Sequence, residues 1–344
     1  MKIDFVIPWV DCTDPNWLFD RYKYSNESSE IITPNQDKRY RDWGLLRYFF
    51  RSVSSNAPWV GTIHFLTYGH LPEWLDCSNP KINVVKHSDF IPNENLPTFN
   101  SNVIELNAYK IEGLSEHFVL FNDDLLILDK TTEDDFFHKG LPRITAVLNA
   151  ASLARGDNFY VPFNCASVLS SHFKPLACVS RHPLKWFSPG YGIMCLRTLV
   201  LLIYPTFKGF YEPHLCNSFL KSTFEEIWEV ERQELEATSS HRFREATDVS
   251  NWLMKDWQCA KGDFYPRPVS FGRSFSFGAN FDSTLEEAES YLRGRKGKVV
   301  CLNDGDLTPE QYETARTRIL ACLDELFPDL SLIHISEPTR RTPI

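Results

Sequence analysis

Phe118-Val119-Leu120-Phe121-Asn122-Asp123-Asp124 runs four apolar residues straight into an amide and two carboxylates. Four apolar residues without alternation read as a strand buried on both faces, as inside a parallel sheet. The same pattern recurs toward the N-terminus. Ile3–Val10 is an apolar run that stops at Asp11, and Ile63–Thr67 and Ile82–Lys86 read as two more strands. After a polar, proline-containing loop to about Asp37, Lys38-Arg39-Tyr40-Arg41 opens a helix whose Leu45, Leu46, Phe49, Phe50 and Val53 recur at helical spacing, until Asn56-Ala57-Pro58 ends it. Leu96-Pro97-Thr98-Phe99-Asn100-Ser101 leads into another helix, with Asn102-x-x-Glu105 as a capping-box pattern. Strand and helix alternate over residues 1–128, which predicts an α/β fold: a doubly wound, mostly parallel sheet. Ligands of such sheets sit outside the carboxyl ends of the strands, where Asp11 and Asn122-Asp123-Asp124 fall.

Downstream the pattern loosens. Residues 130–210 break into short apolar pieces between Pro and Gly and read as a largely helical, variable insert within a single catalytic domain, 1–329. Phe219–Glu236 is predicted helical and acidic, and Ser250–Ala260 helical with Trp252, Leu253 and Trp257 on one side. Val299–Leu302 is a strand ending at Asn303-Asp304, and Thr308-Pro309-Glu310-Gln311 starts a helix with a good cap and Pro at its first position. Residues 330–344 fit nothing before them. Leu330-Ser-Leu-Ile-His-Ile-Ser-Glu-Pro-Thr-Arg340 resembles the translation of a sequencing adapter, with a disordered tail as the alternative, so fold reasoning stops near Asp329.

Composition limits the function classes. The 344 residues are 43% hydrophobic and 24% charged, enough for a substantial core and unlike a disordered chain, a disulfide miniprotein or a fibrous rod. A net charge of −9 disfavours nucleic acid as a partner, and an anionic substrate would need a local cationic pocket. The nine cysteines form no CxxC pair, which predicts reduced thiols rather than a disulfide framework or zinc knuckle. No signal peptide is recognisable, and the most apolar internal run, Leu199–Ile203, is far short of the ~20 residues a spanning helix needs. The expectation is a cytoplasmic protein, at most resting against the inner face of a membrane as a peripheral protein.

Adjacent carboxylates repel and must be hydrated, paired or metal-bound. Asp123 and Asp124, with Asn122, suit magnesium, which takes oxygen ligands, although a solvated Asn-Asp turn is the plain alternative. Asp11 and Asn303-Asp304, also after short strands, strengthen the metal reading. Asn100, Ser101, Asn102 and Glu105 mark a helix start able to hold a phosphate, or simply a cap. His214, after Tyr211-Glu212-Pro213, is a candidate general base or a structural imidazole. His241-Arg242-Phe243-Arg244 offers guanidinium groups for a diphosphate, or a surface cluster paired with Glu245 or Asp248. Of Arg39, Arg41, Arg47 and Arg51, some must form the solvated face of their helix. No GxGxxG, Walker loop, HExxH or GxSxG is present.

Together these segments resemble the Stealth family of sugar-1-phosphate transferases, which act in bacterial capsule synthesis and include the animal lysosomal-enzyme GlcNAc-1-phosphotransferase as a relative. Four blocks carry the resemblance. The first is Ile3–Asp11, with Trp9-Val10-Asp11. The second runs from Arg39-Tyr40-Arg41-Asp42 through Arg51-Ser52-Val53, Ala57-Pro58-Trp59-Val60, Leu96–Ser101 and Ile104-Glu105 to Phe121-Asn122-Asp123-Asp124. The third spans Pro213-His214 to Thr238–Arg244, and the fourth is Cys301-Leu302-Asn303-Asp304. Pro8 and Cys12 depart from the Thr and Gly usual around the first block, and Tyr68-Gly69-His70 stands where Asn or Asp, Gly and Gln are common.

The resemblance implies transfer of a hexose-1-phosphate from a nucleotide diphosphate sugar, UDP-linked in the simplest case, to a sugar hydroxyl of a glycan or lipid-linked glycan. The product is a phosphodiester of capsular or exopolysaccharide. It also implies a bound Mg2+ or Mn2+ on Asp123, Asp124, Asn303 and Asp304. His214, Arg244, Asp124 and Asp11 form the expected catalytic group. Trp9, Arg39, Arg47 and Arg242 are expected to contact substrate, together with Asn100, Ser101 and Glu105. Two other readings stay open: a metal-dependent glycosyltransferase that releases UDP, and a non-catalytic glycan-binding descendant.

Overall fold

The computed structural model describes residues 1–25, 41–152, 160–278 and 280–328; Arg39 and the tail beyond residue 328 lie outside them. In chain order the strands are β1 (Ile3–Trp9), β2 (Ile63–Thr67), β3 (Ile82–Lys86), β4 (His117–Leu120), β5 (Leu125–Ile127), β6 (Phe137–His138), β7 (Leu141–Ile144), β8 (Asn217–Leu220), β9 (Tyr265–Pro266), β10 (Gly272–Ser276) and β11 (Val299–Asn303). The helices are α1 (Pro15–Tyr24), α2 (Leu46–Asn56), α3 (Ser101–Asn107), α4 (Val161–His172), α5 (Pro175–Arg181), α6 (Pro183–Trp186), α7 (Cys195–Leu201), α8 (Lys221–Val230), α9 (Arg232–Ser240), α10 (Trp252–Lys261), α11 (Phe281–Arg293) and α12 (Pro309–Leu326).

The main sheet has the order β3-β2-β1-β4-β8, parallel except for β8, which runs antiparallel to β4 with Leu120 opposite Asn217. Its inner strands β1, β2 and β4 are buried on both faces. Phe5, Ile7, Phe65 and Phe121 point into one core shared with α2, α11 and α12, while Val6, Leu66, Phe118 and Leu120 point into the other, shared with α3, α4, α8 and α10. Helices on both faces make the sheet doubly wound, as the unbroken apolar runs predict. A second sheet, β10-β11-β5, lies beside its carboxyl edge; β11 is antiparallel to β5, with Cys301 opposite Leu125. Residues 160–201 are helical, through α4 to α7. No helix among the described residues is long and apolar enough to cross a membrane.

Several local expectations shift. The helix read from Lys38 begins only at Leu46; Lys38–Tyr40 lie outside the described residues, and Arg41–Leu45 form an irregular approach that Arg41 holds down. The polar loop before it contains α1, capped by Asp14, whose side chain accepts from Trp17 N (2.8 Å), with Pro15 at the first helical position. The α3 cap is Asn100, not Asn102: Asn100 Oδ1 accepts from Asn102 N (3.1 Å), and Glu105 turns elsewhere. Phe219–Glu236 divides into the end of β8, α8 and part of α9. The Thr308–Gln311 box forms as read, with Thr308 Oγ1 accepting from Gln311 N and Gln311 Oε1 from Thr308 N.

Asp4 is a fully buried carboxylate in the middle of β1. It accepts from Thr62 N (2.8 Å), Ser115 N (2.9 Å) and His64 Nε2 (3.4 Å), tying β1 to the entries of β2 and β4. Asn83 Nδ2 donates to His64 Nδ1, which leaves the imidazole proton on the nitrogen facing Asp4. Burial alone would raise the Asp4 pKa, but the His64, Ser115 and Thr62 bonds outweigh it and hold the carboxyl well below the usual carboxylate range. A depressed carboxyl stabilises the fold above the unfolded value near 4, and that contribution fades as pH falls through the folded value. Asp4→Ala should therefore lose about 3 kcal/mol of unfolding free energy at pH 7, read by urea denaturation, because it strands buried donors. The gap between wild type and variant should narrow below about pH 4; an unchanged gap there would contradict this account.

Candidate active site

Asp123 and Asp124 occupy the turn from β4 into β5. Leu125 N donates to Asn122 O and Leu302 N to Asp124 O, so β11 fixes the turn from the side. The Asp123 side chain touches solvent, but protein crowds it. Desolvation, then the charges of Asp124 and Asp42, push its carboxyl up to about 7, against the opposing influence of His214.

The imidazole of His214 reaches this turn because β8 is antiparallel. Pairing Leu120 with Asn217 runs the residues before Asn217 alongside those after Leu120. His214 Nε2 lies 3.5 Å from Asp124 Oδ2, which also accepts from Cys301 Sγ (3.2 Å). The hydrogen bond to Asp124 raises the His214 pKa, burial opposes it, and the charges of Asp124, Glu105 and Glu212 add to the rise. His214 sits at φ +52°, a left-handed conformation that costs a non-glycine residue of order 1–3 kcal/mol and that the surrounding structure must impose. Behind it, Glu212 is ion-paired with the buried Lys255.

Arg244 comes from the loop after α9. Its Nη2 donates to Ser101 Oγ (2.8 Å) at the start of α3, and its charge acts on buried Glu105 together with that of His214. Burial pushes Glu105 up, partly offset by its bond from Asn251 Nδ2. Asn100 pins this loop from beneath. It is fully buried, and its Nδ2 donates to Asp248 Oδ2 (2.7 Å) and to the carbonyls of His241 and Phe243. His241 Nδ1 bonds Asp248 Oδ1 (2.7 Å), and Phe243 stacks on Phe99 with centroids 5.1 Å apart. Asp11, Asp42 and Asp123 all act on buried Cys12, whose thiol is pushed up to about 11 by burial and then by those charges.

Other expected site residues are placed differently. Asn100 and Glu105 are used as internal struts, with their polar atoms taken by protein. Trp9 stacks against Phe65 and meets His70 edge-on, packed on the core. Arg47 lies over the Trp74 ring on the exposed side of α2, and Arg242 lies over Tyr24 while donating to Leu96 O. Asp304 needs correction as a metal ligand: Arg41 grips both its oxygens (2.7 and 2.8 Å), Gly305 N donates to one, and both side chains are largely buried. Asn303 donates to Ser276 Oγ. The Arg41–Asp304 fork instead anchors the approach to α2 and so places Asp42. Asp304→Asn should cost about 3 kcal/mol of stability by leaving Arg41 half-paired in a buried site. It should leave manganese affinity within about twofold, whereas loss of a true carboxylate ligand would weaken it by more than the 10–100-fold seen for outer-shell partners. Isothermal titration and urea unfolding would separate the two outcomes.

Reading the sequence missed Asp42, Cys301 and Glu212. Asp42 follows no strand, Cys301 is one of several apolar strand positions, and Glu212 looks like any acidic residue before a proline. The adjacency of Asp42 to Arg41 within the Arg39–Asp42 block was the available signal.

The donor set could hold a divalent cation. Asp124 Oδ1 is buried and accepts no hydrogen bond, while Asp124, His214 and Cys301 offer ligand atoms within 4.8 Å of one another. A buried carboxylate oxygen without a partner calls for one. Burial and then the Asp124 charge push the Cys301 thiol well above its ordinary value. Its Sγ donates to Asp124 Oδ2 (3.2 Å), orienting the carboxylate.

The family models for Stealth protein CR2, conserved region 2, and Stealth protein CR3, conserved region 3, match residues 39–144 and 213–255. The first segment contains Asp42, Ser101, Glu105, Asp123 and Asp124; the second contains His214 and Arg244. The chain is 38% identical to a capsular polysaccharide phosphotransferase, WcwK, of Streptococcus pneumoniae, across 96% of this chain and 98% of the relative. It is 34% identical to the exopolysaccharide phosphotransferase cps2G of Lactiplantibacillus plantarum, across 96% and 95%. It is 36% identical to the receptor polysaccharide phosphotransferase WefC of Streptococcus gordonii, across 97% and 99%. Among solved structures, the galactosyltransferase LgtC aligns with a TM-score of 0.38 at 10% identity, over 91% of this chain and 95% of that one.

Proposed function

This chain belongs to the Stealth family, and from that premise we propose how its site acts. The chain is an enzyme, a phosphotransferase of capsular or exopolysaccharide synthesis. In our reading the transferred group is a hexose-1-phosphate, the donor a uridine-linked nucleotide diphosphate sugar, and the acceptor a sugar hydroxyl on a glycan or lipid-linked glycan. The observation that carries the residue assignment is the meeting of Asp124, from the end of β4, with His214, from the start of β8, beside Arg244.

Asp124 divides its two oxygens. Oδ2 holds Cys301 and the Nε2 side of His214, which fixes that tautomer and leaves His214 Nδ1 as the proton acceptor. Oδ1, with Asp123, is free for Mg2+ or Mn2+, which when bound supplies positive charge against the donor diphosphate. Phosphoryl transfer asks the protein for positioning and charge neutralisation. Arg244 is oriented by Ser101, keeps other N–H groups for a phosphate oxygen, and meets charge developing on the transferred phosphoryl.

His214 takes the proton of the acceptor hydroxyl as its oxygen bonds to the sugar-bearing phosphorus. The bond from that phosphorus to the bridging oxygen breaks, and the electron pair leaves with the nucleoside monophosphate. Asp11 and Asp42 flank the site and help set its charge, while residues 130–210 offer surface for acceptor choice within one catalytic unit, 1–329. Residues Asn100, Glu105 and Arg242 act by holding the Arg244 loop.

A donor labelled at the sugar-bearing phosphorus decides the reaction. Phosphodiester transfer places that label in the product and releases UMP; a glycosyltransferase leaves it in UDP. Phosphorus NMR reads both, and label found only in UDP would overturn the assignment.

A further inference from the structure

Helix α7 wears its apolar side outward. Its inner side carries Thr198, fully buried, whose Oγ1 accepts from Leu148 N (3.1 Å). Its outer side carries Leu196, Leu199 and Val200, continued by Ile203 just past its end, at 57%, 57%, 60% and 75% exposure. These positions follow i, i+3, i+4, i+7 spacing and form one stripe. Ile193, leading into α7, and Leu184, on α6, are more than 80% exposed. A water-soluble surface normally reverses this pattern, and a contiguous apolar patch marks an interaction site.

Charge narrows the choice of partner. Residues 160–211 contain no Asp or Glu, yet carry Lys174, Arg181, Lys185, Arg197 and Lys208, in a chain whose net charge is −9. Lys174, Arg181 and Arg197 are exposed, and Arg197 stands on α7 itself. Tyr204 follows the stripe with the Lys208 ammonium 5.0 Å from its ring centroid, the mixture of apolar body and cationic tip that suits a membrane–water boundary.

We propose that the α6–α7 face docks onto an anionic phospholipid bilayer, with Leu196, Leu199, Val200 and Ile203 entering the headgroup–acyl boundary and the neighbouring cations meeting lipid phosphates. The side chains protrude singly from short helices, so a fluid apolar layer can accept them without a shaped pocket. No helix among the described residues is long enough to span, so the contact is in-plane. The acidic remainder of the chain is repelled by an anionic surface, which orients this acid-free segment toward it. The inference rests on surface composition and is independent of the proposed reaction.

The test is flotation of the intact chain with vesicles of equal phosphatidylglycerol and phosphatidylcholine, and with vesicles of phosphatidylcholine alone. Wild type should partition to the anionic vesicles at least about tenfold more strongly, and less so as salt rises. Leu199→Ser with Ile203→Ser should lower that partition at least about tenfold. Lys174→Glu with Arg181→Glu should lower it on anionic vesicles only. All variants should keep the wild-type thermal unfolding midpoint, since these side chains are exposed. Equal binding of the serine variant, or no binding of wild type to anionic vesicles, overturns the proposal. A wild-type dimer that the serine variant converts to monomer, without vesicle binding, would assign the stripe to a second copy and overturn it as well.

Discussion

His214→Ala should lower turnover by about 10²–10⁴-fold, the usual contribution of a positioned general base. The loss should appear in kcat and kcat/KM together, because the base acts as the hydroxyl proton moves and makes little difference to ground-state binding. Wild-type kcat/KM should rise with pH, since only the neutral imidazole accepts a proton. The Asp124 hydrogen bond raises the His214 pKa, so the rise should be centred above pH 6.5, and the alanine variant should lack that limb. His214→Gly should lose turnover equally yet be more stable than His214→Ala, because glycine adopts φ +52° without the penalty a β-carbon brings. A glycine variant less stable than alanine would contradict the strain argument. An alanine variant within tenfold of wild type would remove His214 from the chemistry.

The second large effect is expected at Asp124. Asp124→Asn keeps the shape but removes the charge facing His214 and the oxygen pair available to a cation. Turnover should fall at least about 10²-fold, in line with removal of a single preorganised electrostatic group. Manganese affinity should fall by more than 10-fold. The charge also contributes, after burial, to raising Asp123. In Asp124→Asn, Asp123 should therefore titrate lower than in wild type, a change that carboxyl-carbon NMR would register. A variant with wild-type metal affinity and rate would show that the β4–β5 turn is only a solvated Asn-Asp turn.

The main sheet was legible because parallel strands covered on both faces need not alternate: Phe118–Phe121 is apolar throughout, and Ile3–Val10 is mostly so. The α2 face was equally plain, with Leu45, Leu46, Phe49, Phe50 and Val53 all buried. The site was half visible. Asp123, Asp124 and Asp11 follow strands, and a strand end in such a sheet is where a ligand sits. What the sequence hid was partnership. Nothing local says that Asn217–Leu220 is a strand, still less that it runs against β4, yet that pairing alone carries His214 to Asp124. Asp304 looked like Asp124 because both end strands; only the distant Arg41 distinguishes a gripped carboxylate from an available one. Asn100 and Glu105 looked like phosphate contacts because capping residues and anion sites draw on the same polar side chains, and burial decides between them.

Strand β5 has a consequence for how the polypeptide comes off the ribosome. Its only ladder partner among the described residues is β11, about half the sequence further on. Until that partner is synthesised, Leu125–Ile127 presents open amide and carbonyl groups on an apolar segment, the kind of edge that invites intermolecular pairing. The acidic turn ahead of it, Asn122-Asp123-Asp124, sets two charges beside that edge, a placement that disfavours intermolecular pairing. Neutralising both aspartates should lower the soluble yield of newly made enzyme even at positions where the finished molecule tolerates the change.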